Sequence, residues 1–146
     1  EAGVKVRYLV ESAEAHAIGN PGGYDVVTCL EMLEHVPEPE QVIATLATLV
    51  RPGGHLFVST LNRTLKAYLL AIVGAEYIAR LLPKGTHTYE RFIRPAELAG
   101  WCRSAGIDMR DLSGIEYNPL ARTARLVRAV DTNYILHGVR SEAAAA

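Results

Sequence analysis

The sequence predicts an α/β fold with a mixed sheet, and three consecutive stretches carry that prediction. Residues 24–30 (YDVVTCL) form an apolar, partly β-branched run of the kind that makes a strand buried on both faces. Residues 39–50 place Val42, Ile43, Leu46, Leu49 and Val50 on one helical face, behind Pro39, which suits the first helical position. Residues 55–61 (HLFVSTL) form a second apolar run beyond Arg51-Pro52-Gly53-Gly54. Strand, helix, glycine doublet and strand make a βαβ unit, whose strands are parallel and whose crossover is right-handed.

The other elements follow in chain order. Residues 4–10 (VKVRYLV) alternate apolar and polar, which predicts a short strand. Residues 11–18 read as a small helical turn or loop, and Asn20-Pro21-Gly22-Gly23 is turn chemistry. After the βαβ unit, residues 65–82 form a long apolar insertion closed by Pro83-Lys84-Gly85. Arg94-Pro95-Ala96-Glu97-Leu98 opens a helix that runs to Ser104 and is capped by Gly106. Residues 108–117 and 122–130 read as an antiparallel pair at the sheet edge, and 134–139 as a last short extended piece. The small residues of 141–146 predict a disordered tail.

Composition narrows the function. A chain of 146 residues is one domain by length, and 49% hydrophobic with 21% charged residues is ordinary for a soluble globular protein. The net charge of −1 argues against nucleic acid as a partner. Two cysteines, Cys29 and Cys102, make neither a disulfide framework nor a zinc knuckle, and fit a reducing compartment. No signal peptide is expected, because residues 1–12 already alternate like a strand. The first residue is Glu, so the chain is read as part of something longer.

The candidate chemistry lies directly after the strand at 24–30. Open α/β sheets bind ligands at the carboxyl ends of their strands, and here Glu31, Glu34 and His35 follow at once. On a helical turn these three would share a face. Two carboxylates and an imidazole suit a hard or borderline divalent ion. Alternatively, His35 takes a proton from a substrate hydroxyl. The plain alternative is a solvated helix start with acidic residues at the favourable end of the dipole. The glycine doublets at 22–23 and 53–54 belong to no phosphate loop and read as tight turns. His16, His55, His87 and His137 are scattered and read as ordinary surface or edge residues. Ser59 has no nucleophile elbow around it, and Cys29 reads as a small core residue.

The insertion has a charge of its own. Residues 61–95 carry six bases and two acids, a net of +4, while the rest of the chain has nine bases and fourteen acids. Gly74, Glu76 and Arg80 break its apolar run, so it does not read as a bilayer span. A basic, apolar segment with aromatic residues either lies on an anionic membrane surface or covers the site as a lid.

Taken together, the runs YDVVTCLEMLEHVPEP, LVRPGG, FVSTLNRT, VGAEYIARLLPKGTH and FIRPAELAGW closely resemble the ubiquinone-biosynthesis O-methyltransferases. IEYNPLARTARL and DTNYILHG resemble the end of that family, so the likeness covers nearly the whole chain. The resemblance implies a class I S-adenosylmethionine-dependent methyltransferase fold with a Rossmann-like, mixed and mostly parallel sheet. It implies O-methylation of polyprenylated catechol or demethylubiquinol intermediates, with a polyprenyl phenol or quinol as substrate. It places Leu30 beside S-adenosylmethionine, where many relatives have Met, and Ala13 within the stretch 12–14 that faces the adenine. Glu31, Glu34 and His35 match a divalent-metal site of mitochondrial relatives, holding magnesium or zinc, and His35 is the implied catalytic base.

The same resemblance implies what is missing. The family's first strand, its glycine-rich cofactor loop and the acidic residue for the ribose should all precede Glu1. Residues 1–140 are then the C-terminal part of one methyltransferase domain, with the insertion at 62–94, and this part alone is expected to bind cofactor weakly and to be inactive. In the family's sheet order the missing strands lie between the strand at 4–10 and the strand at 24–30, which leaves the latter an open apolar edge. The insertion would meet the inner face of the cytoplasmic membrane, with other ubiquinone-biosynthesis enzymes as further partners. The alternatives are a class I methyltransferase for another small phenol, and a non-catalytic, membrane-associated fragment.

Overall fold

The computed structural model describes residues 3, 5–69, 89–118 and 121–142. Helix α1 (Ala13–Gly19) is capped by Ser12, whose hydroxyl accepts the amide of Ala15 at 3.2 Å. A turn with Gly22 at φ 63° leads into strand β1 (Tyr24–Leu30). Helix α2 (Pro39–Leu49) has its proline in the first turn, as predicted, and strand β2 (Val50–Leu61) pairs parallel with β1. A single helical turn, α3 (Leu65–Ala67), is followed after the undescribed residues by helix α4 (Pro95–Ser104). Strands β3 (Ile107–Asn118), β4 (Thr123–Val127) and β5 (Asn133–Arg140) complete the sheet, in spatial order β1-β2-β5-β3-β4.

The sheet is mixed, as expected, but among the described strands only β1–β2 is parallel; β2–β5, β5–β3 and β3–β4 are antiparallel. The piece at 134–139 is therefore not peripheral. It is β5, wedged between β2 and β3. Pleat alternation sorts its side chains: Tyr134 and Leu136 stand opposite Thr60 and Val58 on one face, Ile135 and His137 opposite Ser59 and Phe57 on the other. The first face meets α2 and α4, and Leu56, Val58, Tyr134, Leu136, Ile43 and Leu98 share one buried core there. The Tyr134 hydroxyl donates to the Ile93 carbonyl at 3.0 Å, and burial pushes its pKa above the ordinary phenol range.

Two strand expectations need correction. Residues 5–10 form no ladder; Tyr8 is 88% exposed and Val10 fully so. Alternation predicts which face a strand would bury, but a strand also needs a neighbouring backbone to bond, and no described strand lies beside this segment. Strand β1 is also not buried on both faces. Val27 and Cys29 stand beside Leu56 and Val58 and point to the core, whereas Val26 and Leu30 on the other face are 49% and 55% exposed. Being at the sheet edge, β1 has a strand on one side and a helix layer on one face.

The β1–β2 junction is irregular because β2 begins earlier than expected. Tyr24 faces Val50 and Val26 faces His55, so the Arg51–Gly54 segment bulges from the ladder. Gly53 takes φ 72°, and a Cβ on Gly54 would lie 2.9 Å from the Asp25 carbonyl and 2.8 Å from Val50. Arg51 pairs with Asp25 across this junction at 2.5 Å. At the far end, Ser141 bonds the Gly106 carbonyl through its amide at 2.9 Å, so the segment expected to be a disordered tail begins with a tied residue. Residues 143–146 of that expectation lie outside the described residues.

Two glycine substitutions should move stability in opposite directions. Gly54→Ala should lower it by about 1–3 kcal/mol through the backbone clash. Gly100→Ala, in α4 with open space around its Cβ, should raise it by about 0.5–1 kcal/mol. Paired thermal melts check both signs.

Candidate active site

The carboxyl ends of β1 and β2 lie side by side, with Leu30 in register with Ser59. Beyond Leu30 the chain does not enter a regular helix. Glu31 takes φ 50°, the left-handed region rarely used by residues other than glycine, and only Leu33–His35 forms a 3₁₀ turn. The helical spacing that would bring Glu31, Glu34 and His35 onto one face therefore fails at its first residue.

Two hydroxyls of β2 take the carboxylates instead. The Glu31 amide donates to the Ser59 carbonyl at 3.0 Å and to its hydroxyl at 3.2 Å. The Ser59 hydroxyl in turn donates to Glu31 Oε1 at 2.6 Å. Thr60 donates to Glu34 Oε2 at 2.7 Å. Consecutive strand residues face opposite sides, so Thr60 belongs to the core face and Ser59 to the other. Glu34 is 4% exposed, and its charge is felt by the core groups Cys29 and Tyr134. Glu31 and His35 are exposed.

This placement bears on the metal expectation. Glu34 Oε1 is buried with no hydrogen-bond partner, which is what a ligand atom looks like. The rest of the set does not join it: among the described residues no group of three or more His, Cys, Asp or Glu side chains is placed to hold a metal. As arranged, Glu31, Glu34 and His35 do not fit a shared magnesium or zinc ion, because their carboxylates are anchored to opposite-facing hydroxyls.

The two cofactor-side residues sit on separate elements. Leu30 ends β1 with more than half its surface free, a bare apolar contact at the strand end beside Met32, itself 37% exposed. Ala13 opens α1, which packs on α2 and is tied to the opposite end of β1: His16 meets Tyr24 Oη at 2.5 Å and Glu11 at 2.7 Å. The described contacts thus anchor Ala13's helix at the Tyr24 end of the strand and Leu30 at the other.

Spacing concealed further pairings. His55 Nδ1 and His137 Nε2 lie 3.0 Å apart across β2 and β5, with Phe57 stacked on His137 at 4.5 Å. These histidines are 82 residues apart in sequence, so no local pattern could show them as partners. Ser59 and Thr60 did leave a signal. Two consecutive hydroxyls in an apolar strand put at least one toward the interior, where it must find a polar partner.

The insertion is anchored where its two described ends meet. Ile93 donates its amide to the Leu61 carbonyl at 3.0 Å, and Arg63 reaches the Phe92 carbonyl at 2.7 Å and Glu97 at 3.1 Å. Leu61, Ala67 and Phe92 close a small second core, and Lys66 pairs with Asp131 at 2.8 Å. Most of the segment 62–94, including the expected lid or membrane surface, lies outside the described residues. No helix among the described residues is long and apolar enough to cross a membrane.

Comparison with known proteins adds the family. A family model described as a methyltransferase domain matches residues 5–112. The ubiquinone biosynthesis O-methyltransferase of Cupriavidus pinatubonensis is 57% identical over 136 residues, 93% of this chain and 55% of that protein. The protein of the same name from Burkholderia pseudomallei is 59% identical over 93% of this chain and 59% of its own length. The chain therefore spans little more than half the length of these curated relatives. A solved S-adenosylmethionine-dependent methyltransferase from Methanosarcina mazei superposes with a TM-score of 0.63 at 13% identity, covering 97% of this chain and 70% of that one. One from Archaeoglobus fulgidus gives 0.57 at 15% identity, over 90% and 66%.

The cysteines give a chemical check on the core face. Burial first, and the Glu34 charge second, push the Cys29 thiol up to about 11; burial does the same for Cys102, also to about 11. At pH 8 both should therefore resist a thiol-specific disulfide reagent in the folded protein and react promptly in denaturant. Rapid labelling of Cys29 without denaturant would show that β1 does not hold it against α2.

Proposed function

The chain belongs to the methyltransferase-domain family and has its class I, S-adenosylmethionine-dependent fold, and on that premise we propose that the protein O-methylates a polyprenylated catechol or quinol in ubiquinone biosynthesis. The observation that carries this reading is 57–59% identity to ubiquinone biosynthesis O-methyltransferases over 93% of the chain. A match of that extent necessarily includes the ends of β1 and β2, where the candidate residues lie.

In this reading Leu30 and Met32 offer an apolar surface to the cofactor at the strand end, while the adenine-side role of Ala13, whose helix is held at the Tyr24 end of β1, rests on the resemblance alone. Bound S-adenosylmethionine supplies an electrophilic methyl group on its sulfonium sulfur. His35, exposed beside that strand end, takes the proton of the substrate hydroxyl so that the oxygen carries the charge needed for attack; an imidazole is basic enough for this near neutral pH. Orientation of donor and hydroxyl in line supplies much of the remaining acceleration. No step of this reading passes through a metal ion.

The basic, apolar segment 62–94 would bring the site to the inner face of the cytoplasmic membrane, where a polyprenyl substrate resides. Six bases against two acids between 61 and 95, with interleaved Tyr68 and Tyr77, support this. Lys66 is already engaged by Asp131, whose carboxyl the bond holds below the usual carboxylate range. The membrane test is therefore placed at Arg80 and Lys84, two further bases of the same segment.

Two outcomes are expected in the full-length protein. His35→Gln should reduce transfer of labelled methyl to a prenylated catechol by about a hundredfold or more, with the melting temperature unchanged because the residue is exposed. Unaltered turnover would remove His35 as base, and transfer only to untailed phenols would replace the substrate. Arg80→Glu with Lys84→Glu should weaken sedimentation with anionic liposomes while leaving neutral ones unaffected; undiminished binding would argue for a lid.

A further inference from the structure

We propose that Ser59 and Thr60 are positioning residues for methyl transfer, a pair of buried hydroxyls at the end of β2 that clamps the loop presenting His35. The proposal rests on the methyltransferase reading for its chemistry, and on geometry for everything else. Ser59 is 2% exposed and Thr60 fully buried, so neither is held there by solvent. Each makes a short bond to a different carboxylate of the loop, 2.6 Å to Glu31 and 2.7 Å to Glu34.

The two bonds constrain different things. Ser59 grips Glu31 at three points, carbonyl to amide, hydroxyl to amide and hydroxyl to carboxylate, and so holds a non-glycine residue at φ 50°. Unusual backbone of this kind persists only where its surroundings enforce it. Thr60 pulls the Glu34 side chain inward on the opposite face, drawing in the residue that immediately precedes His35. The His35 amide bonds the Met32 carbonyl at 3.0 Å, closing the turn between the anchors. The loop is thus pinned on both faces of β2, and His35 follows directly on the second anchor. A displacement of about 1 Å in such a group is enough to slow a reaction up to a hundredfold.

The test uses Ser59→Ala and Thr60→Val, which remove a hydroxyl at nearly constant shape, and Thr60→Ser, which keeps it. In the full-length protein, Thr60→Val should lower kcat about tenfold to a hundredfold with KM for the prenylated catechol within about twofold, and Thr60→Ser should recover most of the loss. Ser59→Ala should speed hydrogen exchange of the Glu31 amide and lower kcat in the same way. The imidazole resonances of His35 should move in Thr60→Val and return in Thr60→Ser. A His35 spectrum indifferent to both hydroxyls would overturn the proposal whatever the activity, and so would full kcat in Ser59→Ala with a fast-exchanging Glu31 amide. Should Thr60→Val fail to fold, Ser59→Ala carries the decision through kcat, the Glu31 amide and the His35 resonances. Absence of methyl transfer from the unaltered protein would overturn the function instead, leaving the clamp to be judged by the exchange and resonance measurements.

Discussion

The parallel ladder between β1 and β2 sets Leu30 against Ser59, and most of what can be said about the site depends on that one register. Parallel pairing brings two carboxyl ends to the same edge of the sheet, which antiparallel pairing of the same strands could not do. It also assigns faces. Cys29 stands with Val58 on the side of the helices, Leu30 with Ser59 on the side away from them, and a slip of one residue would exchange every one of these assignments. The βαβ connection through α2 enforces the pairing, and the glycines of the 51–54 bulge let β2 start where the helix ends.

The carboxylate anchors follow from the same alternation. Ser59 and Thr60 are adjacent in sequence and face opposite ways in space, so the acidic residues they hold are drawn apart. A helical turn would have gathered Glu31, Glu34 and His35. The left-handed backbone at Glu31 ends that possibility, because it breaks the spacing on which convergence depends. Sequence spacing is a statement about side chains only once the backbone between them is known. Glu34 illustrates the consequence: a charged residue in an exposed-looking motif lies within the core, satisfied at one oxygen by a threonine 26 residues away.

Much of the fold was legible in the residues themselves. The β1 and α2 boundaries, the proline at the start of α2, the helix after Arg94 and the β3–β4 pair all depend on local apolar periodicity, turn chemistry and caps. The misses share a cause in the environment. Residues 5–10 have a strand's alternation without a described partner strand. Strand β1 has the apolar composition of a doubly buried strand with a helix layer over one face only. The segment at 133–140 looked terminal and marginal, yet it lies between β2 and β3, where Tyr134 and Leu136 complete the core.

What the sequence determined by itself is most of the elements and the chemical family, because both are written in short-range patterns: apolar period, glycine and proline punctuation, and motifs such as EMLEHVPEP and STLNRT. Tertiary structure alone decided which elements are neighbours and which way each side chain faces. Hydrogen bonding between strands is non-local, and the two-residue pleat turns a single step in register into a change of side. His55 meeting His137, Thr60 holding Glu34 and Ser59 holding Glu31 are all consequences of register. The residues of the site were in the sequence, but their grouping came from the sheet.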